Sequence, residues 1–261
     1  MRSKLPTASR VLITDIDNTL LGDREGTRAL LARMAGAKGR VALGVATGRS
    51  LTSATEILKK WSVPSPEVLI SSVGAEIHYG PRLDPDRGWE EHIDYRWKRE
   101  SVASALADVP GLTLQGVDAQ GRHKLSYFYD PAKAPSEREL RTLLRRANAP
   151  ANVIMSHGMY LDLLPVRCSK GRAVRYVANR WGLAAEDLLV AGDSGNDEEM
   201  LSGDTLAVVV GNYSPELESL RGRPRVYFSN ETCAWGILDG LERYRFLEDE
   251  VLRDVPQEVP A

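Results

Sequence analysis

Three short apolar runs near the start of the chain each stop at a cluster of polar residues. Val11 to Thr14 runs into Asp15-Ile-Asp-Asn18, Val41 to Ala46 runs into Thr47-Gly-Arg49, and Val68 to Ser71 is a third run of the same kind. Runs this short and this uniformly apolar predict strands buried on both faces. Thr27 to Met34 between them reads as a helix, with Gly36 and Gly39 beyond it. Leu51, Ala54, Ile57, Leu58 and Trp61 make one helical stripe, with Ser50 or Thr52 available as its cap. Strand, helix, strand, helix, strand predicts a parallel sheet covered by helices, with ligands at its C-terminal edge.

The pattern changes from about Gly80 to Met159. Lys124 to Tyr129 alternates like a half-buried strand, Ser136 to Ala147 has the spacing of an amphipathic helix, and Val153 to Met155 reads as another short strand. This mixture predicts a small α+β insert. From Lys170 the first pattern returns. Ala173, Val174, Val177, Ala178 and Trp181 form a stripe closed by Gly182 at a C-cap, and Leu188 to Ala191 is a strand leading into Gly192-Asp-Ser-Gly-Asn-Asp197. Strands over Leu206 to Val210 and Val226 to Phe228 follow, then a helix over Trp235 to Tyr244 and an acidic tail expected to fray. The expected fold class is therefore α/β, a Rossmann-like parallel-sheet core with an inserted α+β cap. Residues 1–80 and 164–261 are assigned to the core and 81–163 to the cap, with hinges near Gly80 and Leu164.

With 261 residues, 43% of them hydrophobic, the chain can bury a large core. A formal net charge of -2 gives no basic face for nucleic acid, and Arg141 with Arg145-Arg146 reads as a solvated helix face. The two cysteines, Cys168 and Cys233, have no metal-type spacing and read as buried packing in a reducing compartment. No run approaches the length of a membrane helix, and the basic start of the chain lacks the apolar stretch of a signal peptide. A cytoplasmic protein is expected, with a short disordered lead.

Four clusters fall at the edge where ligands are expected: Asp15 with Asp17, Thr47-Gly48-Arg49, Lys170 at a helix start, and Asp193 with Asp197 around Ser-Gly-Asn196. Each alone has a plain reading as a turn, a loop, a surface charge or an Asx cap. Together, in this order and at strand ends, they point to phosphoryl transfer. Magnesium takes carboxylate and carbonyl oxygens, which Asp15 and Asp193 can supply. A carboxylate can attack phosphorus. Lys170, Thr47 and Gly48 can offset the charge that shifts in the transition state. A second acid, Asp17, can protonate the leaving oxygen and then activate water.

These motifs resemble those of the haloacid dehalogenase phosphatases. Asp15-Ile-Asp-Asn-Thr-Leu is similar to their nucleophile motif, Thr47-Gly-Arg-Ser50 to the second, Lys170 to the third and Gly192-Asp-Ser-Gly-Asn-Asp197 to the fourth. The insert between the second and third motifs lies where one subgroup carries an α/β cap. A narrower resemblance, to bacterial sucrose-phosphate phosphatases, rests on Asp15-Ile-Asp-Asn-Thr-Leu-Leu-Gly-Asp, Ala46-Thr-Gly-Arg-Ser, Gly74-Ala-Glu-Ile, Lys124-Leu-Ser-Tyr and Asp162-Leu-Leu-Pro with Ser169-Lys-Gly. Leu20 stands where those enzymes often carry Trp.

The resemblance implies that Asp15 is the nucleophile and Asp17 the acid and base, its backbone carbonyl touching the metal. It gives Thr47 and Lys170 the phosphate. It gives Asp15 and Asp193 magnesium, with Asp197 and Asn196 in support. Gly48, Arg49, Glu76 and Lys124 become candidate substrate contacts, while Lys124 also reads as an exposed strand lysine and His78 and His123 as surface residues. The implied activity is magnesium-dependent hydrolysis of a sugar phosphate, sucrose 6-phosphate first, in sucrose biosynthesis. Mannosylfructose phosphate and a broad range of hexose phosphates are the alternatives. A non-catalytic module docked on a sugar-phosphate synthase is a third reading, and the retained Asp15, Asp17, Lys170 and Asp193 weigh against it. A monomer with no nucleic-acid or membrane partner is expected.

Overall fold

The computed structural model describes residues 8–37 and 39–248, so the C-terminal tail and most of the N-terminal lead lie outside the described residues. The elements run β1 (Arg10–Thr14), α1 (Arg24–Gly36), β2 (Val41–Ala46), α2 (Leu51–Lys60), β3 (Val68–Ser71), β4 (Glu76–Tyr79), β5 (Asp84–Pro85) and α3 (Arg87–Ile93). Then come α4 (Arg99–Leu106), β6 (Leu112–Leu114), β7 (Leu125–Tyr129), α5 (Glu137–Arg146), β8 (Asn152–Ser156) and β9 (Tyr160–Leu164). The chain finishes with α6 (Lys170–Trp181), β10 (Leu188–Gly192), α7 (Glu198–Leu201), β11 (Leu206–Val209), β12 (Val226–Phe228) and α8 (Cys233–Arg243).

The larger sheet has the order β12-β11-β10-β1-β2-β3-β4-β5. Pairing is parallel from β12 to β3 and antiparallel from β3 through β4 to β5. The alternation of β1 explains its continuous apolar run: Val11 and Ile13 face one core layer and Leu12 the other. Helices α3 and α6 cover the first layer, and α1, α2 and α8 the second. Leu20, the departure from the family pattern, is fully buried in the second layer, as a packing residue would be. The α/β class with a parallel-sheet core and an α+β insert is thus as the hydrophobic pattern predicts.

The smaller sheet is antiparallel, with the order β6-β7-β9-β8. One face packs on α4 and α5 through Leu125, Tyr127, Leu161, Leu163, Val102, Leu140 and Leu144. The other face carries Ser126 and Asp162, cross-strand partners in β7 and β9. Between β8 and β9 the chain reverses through His157 and Gly158, both left-handed, at φ 53° and 63°. Strand β5 pairs with β4, and Trp89 and Ile93 of α3 belong to the first core layer of the larger sheet. No helix among the described residues is long and apolar enough to cross a membrane.

The central strand β1 has β2 on one side and β10 on the other. From β1 the chain goes on to β2, whereas from β10 it goes on to β11 in the opposite direction, and this divergence opens a crevice at the carboxyl ends of β1 and β10.

Candidate active site

Asp15 follows β1 directly, and its N–H continues the ladder by donating to Ala191 O at 2.9 Å. The chain then makes one wide turn, in which the Leu20 N–H donates to Asp15 O (3.2 Å) and the Leu21 N–H to Ile16 O (2.8 Å). The turn needs Asn18 in the left-handed region, at φ 56°, a conformation that Asn tolerates better than most residues. Asn212 Nδ2 donates to Asn18 O at 2.7 Å and holds the turn from outside.

Asp193 follows β10. Its Oδ1 accepts from Thr19 Oγ1 at 3.0 Å, so the two acidic loops are tied together. The Asp193 and Ser194 N–H groups both donate to Asp197 Oδ2 at 3.2 Å. A Cβ on Gly192 would lie 2.5 Å from the Asp197 side chain, so this tight fold of the loop needs glycine there.

Lys170 opens α6, whose N-terminus is capped by Ser169 Oγ accepting from the Arg172 N–H at 3.0 Å. Gly171 allows the helix to approach the Glu199 backbone, which a Cβ would meet at 2.5 Å. Lys170 is thereby fully buried, and its Nζ donates to Asp15 Oδ1 at 2.6 Å and to Asp197 Oδ1 at 2.8 Å.

Three buried carboxylates, Asp15, Asp193 and Asp197, thus offer oxygens within 4.8 Å of one another. One ammonium does not balance them. Burial, with Asp197 adding to it, pushes the Asp15 carboxyl up to about 7 despite Lys170. Burial and the neighbours Asp197 and Asp15 push Asp193 up to about 8. Burial alone would lower Lys170, but Asp15 and Asp197 outweigh it and hold its ammonium above the usual lysine range. A cluster short of positive charge, built of hard oxygen donors, could hold a metal cation. Asn196 fits the same picture, because its Oδ1 is buried beside the cluster with no hydrogen-bond donor.

Above the cluster lies a cavity of about 630 Å³. Asp15, Asp17, Asn18, Gly48, Arg49, Asp193 and Asn196 line it from the larger sheet, and Gln115, Asp118, Lys124, Ser156, Tyr160 and Asp162 from the smaller one. Asp17 is held at its wall by Arg49, with Nε donating to Oδ2 (2.8 Å) and Nη2 to Oδ1 (2.7 Å). The hairpin tip between β8 and β9 reaches the opposite rim. There His157 Nδ1 lies 2.8 Å from Ser214 Oγ, and the Gly158 N–H donates to Glu216 Oε1 at 2.9 Å.

The sequence-predicted residues therefore separate into three places. Asp15, Asp17, Gly48, Arg49, Lys124, Asp193 and Asn196 share the large cavity. Lys170 and Asp197 are buried against Asp15 and each other, while Thr47 is buried after β2 with its Oγ1 accepting from the Arg49 N–H at 3.2 Å. Glu76 accepts from Ser71 Oγ at 2.7 Å and lines a separate cavity of about 330 Å³, with Ser50, His78 and Lys124 at its wall.

Lys124 is not an exposed strand lysine but only 5% exposed, as its Nζ donates to Gly48 O at 2.9 Å. His123 corrects the surface reading too: it is buried, with Nε2 2.7 Å from Asp94 Oδ1. Cys168 is core packing, and burial pushes its thiol far up, out of the nucleophilic range. Thr19, Asn212, Gln115, Asp118, Ser126 and Asp162 were given no role in the sequence. Thr19 could have been found from its place inside the nucleophile motif, and Asp162 as the one charge in an otherwise apolar strand.

A family model described as sucrose-6F-phosphate phosphohydrolase matches residues 8–245, which contain every cluster above. The chain belongs to the sucrose-6F-phosphate phosphohydrolase family. It is 33% identical over 97% of its length to sucrose-phosphatase 1 of Nicotiana tabacum and spans 63% of that protein. It is 28% identical over 90% of its length to the mannosylfructose-phosphate phosphatase of Agrobacterium fabrum (strain C58), covering 96% of it. Among solved structures, the sucrose-phosphatase from Synechocystis sp. PCC6803, in complex with sucrose and phosphate, matches with a TM-score of 0.88. That match has 31% identity and covers 93% of this chain and 100% of the other. The resemblance carried by the four motifs and by the narrower sucrose-phosphatase segments is thus borne out.

Proposed function

We propose that the chain is a magnesium-dependent phosphatase that hydrolyses sucrose 6-phosphate to sucrose and phosphate. The observation that carries this reading is the position of Asp15, at the floor of a cavity whose roof is a polar sheet face. The cavity volume of about 630 Å³ falls within the roughly 300–1,000 Å³ of small-molecule sites. The roof groups Gln115, Asp118 and Asp162 suit the hydroxyls of a disaccharide. The Synechocystis relative, matched along its whole length, holds sucrose and phosphate. Mannosylfructose phosphate is the second reading, favoured by the near full-length match to the Agrobacterium enzyme.

In this reading an Asp15 oxygen attacks phosphorus as the bond to the sugar oxygen breaks, giving an aspartyl phosphate. Asp17 gives its proton to the leaving oxygen, then takes one from the water that attacks the phosphoaspartate. Phosphate leaves and the Asp15 carboxylate is restored. Gly48 N–H and Thr47 orient the phosphoryl oxygens, while Lys170 balances Asp15 from beneath. Magnesium held by Asp15, Asp193 and the Asp17 carbonyl, with Asp197 fixing the loop, supplies counter-charge to the phosphoryl group when bound. We assign residues 94–163 to the substrate-gripping cap, because β5 and α3 pack with the larger sheet. The enzyme acts as a cytoplasmic monomer on a free sugar phosphate.

Phosphate release from sucrose 6-phosphate, mannosylfructose phosphate and glucose 6-phosphate, with and without magnesium, tests the reading. Sucrose 6-phosphate is expected to give the highest kcat/KM, and only with magnesium. Preference for mannosylfructose phosphate would keep the chemistry and change the sugar. No turnover by folded protein would overturn the enzyme reading.

The raised carboxyls make metal binding dependent on pH. Folded Asp15 and Asp193 keep their protons up to about 7 and 8, against 3.8 for a free aspartate. Between those limits the folded protein binds more protons than the unfolded one, so the metal-free protein loses stability as pH rises through that window. Magnesium must displace the same protons. Its upward shift of Tm is therefore expected to be larger at about pH 8.5 than at about pH 6. Equal shifts at both pH values in thermal melts would remove Asp15 and Asp193 from the metal site.

A further inference from the structure

We propose that Lys124 is a positioning residue that couples the seating of the cap to the placement of Asp17, acting through the Gly48 carbonyl and Arg49. This rests on the phosphatase reading above, in which Asp17 is the acid and base.

Lys124 precedes β7 in the smaller sheet, yet its Nζ donates to a main-chain carbonyl of the other layer, Gly48 O, at 2.9 Å. A buried ammonium is costly unless its donors are met. The nearest carboxylate, Asp162 Oδ1, is 3.6 Å away, beyond good hydrogen-bond length, and is itself engaged by Ser126 Oγ. Asp162 offsets the charge across that gap, while Gly48 O accepts the ammonium's hydrogen bond, so the two together support the burial. When the smaller sheet lifts away, that bond breaks and water takes its place.

The bond acts on one peptide unit. Lys124 holds the Gly48 C=O, and the N–H of the same peptide, on Arg49, donates to Thr47 Oγ1 at 3.2 Å. The Arg49 C=O accepts from the Ser72 N–H at 2.7 Å. Without a side chain of its own, Gly48 cannot fix that peptide plane by packing, so the lysine does so from above. From this fixed backbone the Arg49 side chain spans to Asp17 in a two-pronged ion pair at 2.7 and 2.8 Å, steadied by Nη1 donating to Ser53 Oγ at 2.9 Å. The fork fixes the plane of the carboxylate as well as its distance. Asp17 needs this, because its side chain is 50% exposed and packing alone does not hold it. The chain of contacts from Lys124 through Gly48 and Arg49 ends on the residue that must meet the leaving oxygen.

A double-mutant cycle separates this role from a simple sugar contact. The variants are Lys124→Met, Arg49→Lys and their combination, with Lys124→Arg as the conservative exchange and Asp17→Asn as the reference. For each, kcat and KM are measured with whichever of sucrose 6-phosphate, mannosylfructose phosphate and glucose 6-phosphate the wild type turns over best. Lys124→Met is expected to lower kcat about tenfold or more, a share of the 10²–10⁴ that acid–base catalysis supplies. Arg49→Lys should do likewise, and the double variant should be no slower than the worse single one. Lys124→Arg, which can still donate to Gly48 O, should recover most of kcat.

A rise in KM with kcat unchanged in Lys124→Met would overturn the proposal and leave Lys124 as a sugar contact. Losses that multiply in the double variant would overturn it as well. Should Lys124→Met fail to fold in thermal melts, Lys124→Ser, polar but too short to reach Gly48 O, replaces it in the cycle under the same criteria. An Asp17→Asn enzyme with wild-type kcat would instead overturn the acid–base reading. A wild type inactive on all three sugar phosphates would remove the phosphatase reading and this inference with it.

Discussion

An Asp15→Asn variant is expected to fold normally and to lose turnover by about four orders of magnitude or more, the scale seen when a nucleophile is removed. The amide has nearly the volume of the carboxyl, and its Oδ1 can still accept from Lys170 Nζ, which lies 2.6 Å from the native oxygen. The main-chain bond from the Asp15 N–H to Ala191 O is untouched. What disappears is the anionic oxygen that attacks phosphorus, and no other carboxylate can replace it. Asp197 is committed to Lys170 and two amides, and Asp193 is tied to Thr19. Stability should be equal or slightly higher, because burial already disfavours the Asp15 charge. Phosphate release and thermal melts on the same preparation check both halves. A folded variant with wild-type kcat would take the nucleophile role from Asp15.

The parts that carry this chemistry were legible in the sequence for a physical reason. Strands buried on both faces must be apolar throughout, so β1, β2, β3 and β10 stand out, and the polar residues after them mark the edge where they end. Strand β4 did not stand out, because it is four residues long and only Ile77 and Tyr79 face inward. Helix α3 was missed because seven residues hold too few periodic positions, and it is fixed by tertiary contacts such as Trp89 Nε1 donating to Gly74 O at 2.9 Å. The roof of the cavity was hidden for a different reason. Ser126 and Asp162 come together only by cross-strand pairing, and Lys124 meets Gly48 only because one sheet lies over the other. Residue spacing encodes position within an element, not which element it will face. The same limit made His123 look like a surface residue, when Asp94, distant in sequence, provides its partner.

Lys170 shows how far the cluster depends on a single positive charge, and Lys170→Met is expected to cost both stability and activity. The side chain is fully buried and bonded to two carboxylates. Methionine fills much the same space, so the loss is electrostatic rather than a cavity. Without the ammonium, Asp15 and Asp197 lose their shared partner while Asp193 stays beside them. Breaking a buried pair from one side typically costs about 3–5 kcal/mol, because the remaining charge is left uncompensated. The cost has a pH signature. Burial already holds the Asp15 and Asp193 carboxyls near 7 and 8, and removing the lysine can only raise Asp15 further, since Lys170 acts to lower it. At about pH 6 the carboxyls hold protons that relieve the repulsion, whereas at about pH 8.5 fewer of those protons remain, so the deficit in unfolding free energy should be larger at the higher pH. Magnesium should recover part of that stability at the higher pH, because it supplies the missing charge to the same oxygens. It should not recover turnover, which is expected to fall by a factor of about 10²–10³ with a preorganised charge removed from beneath the nucleophile. Denaturant unfolding at the two pH values, with and without magnesium, together with kcat, checks each step. A midpoint and a kcat close to those of the wild type would mean that the acidic cluster is balanced by something other than Lys170.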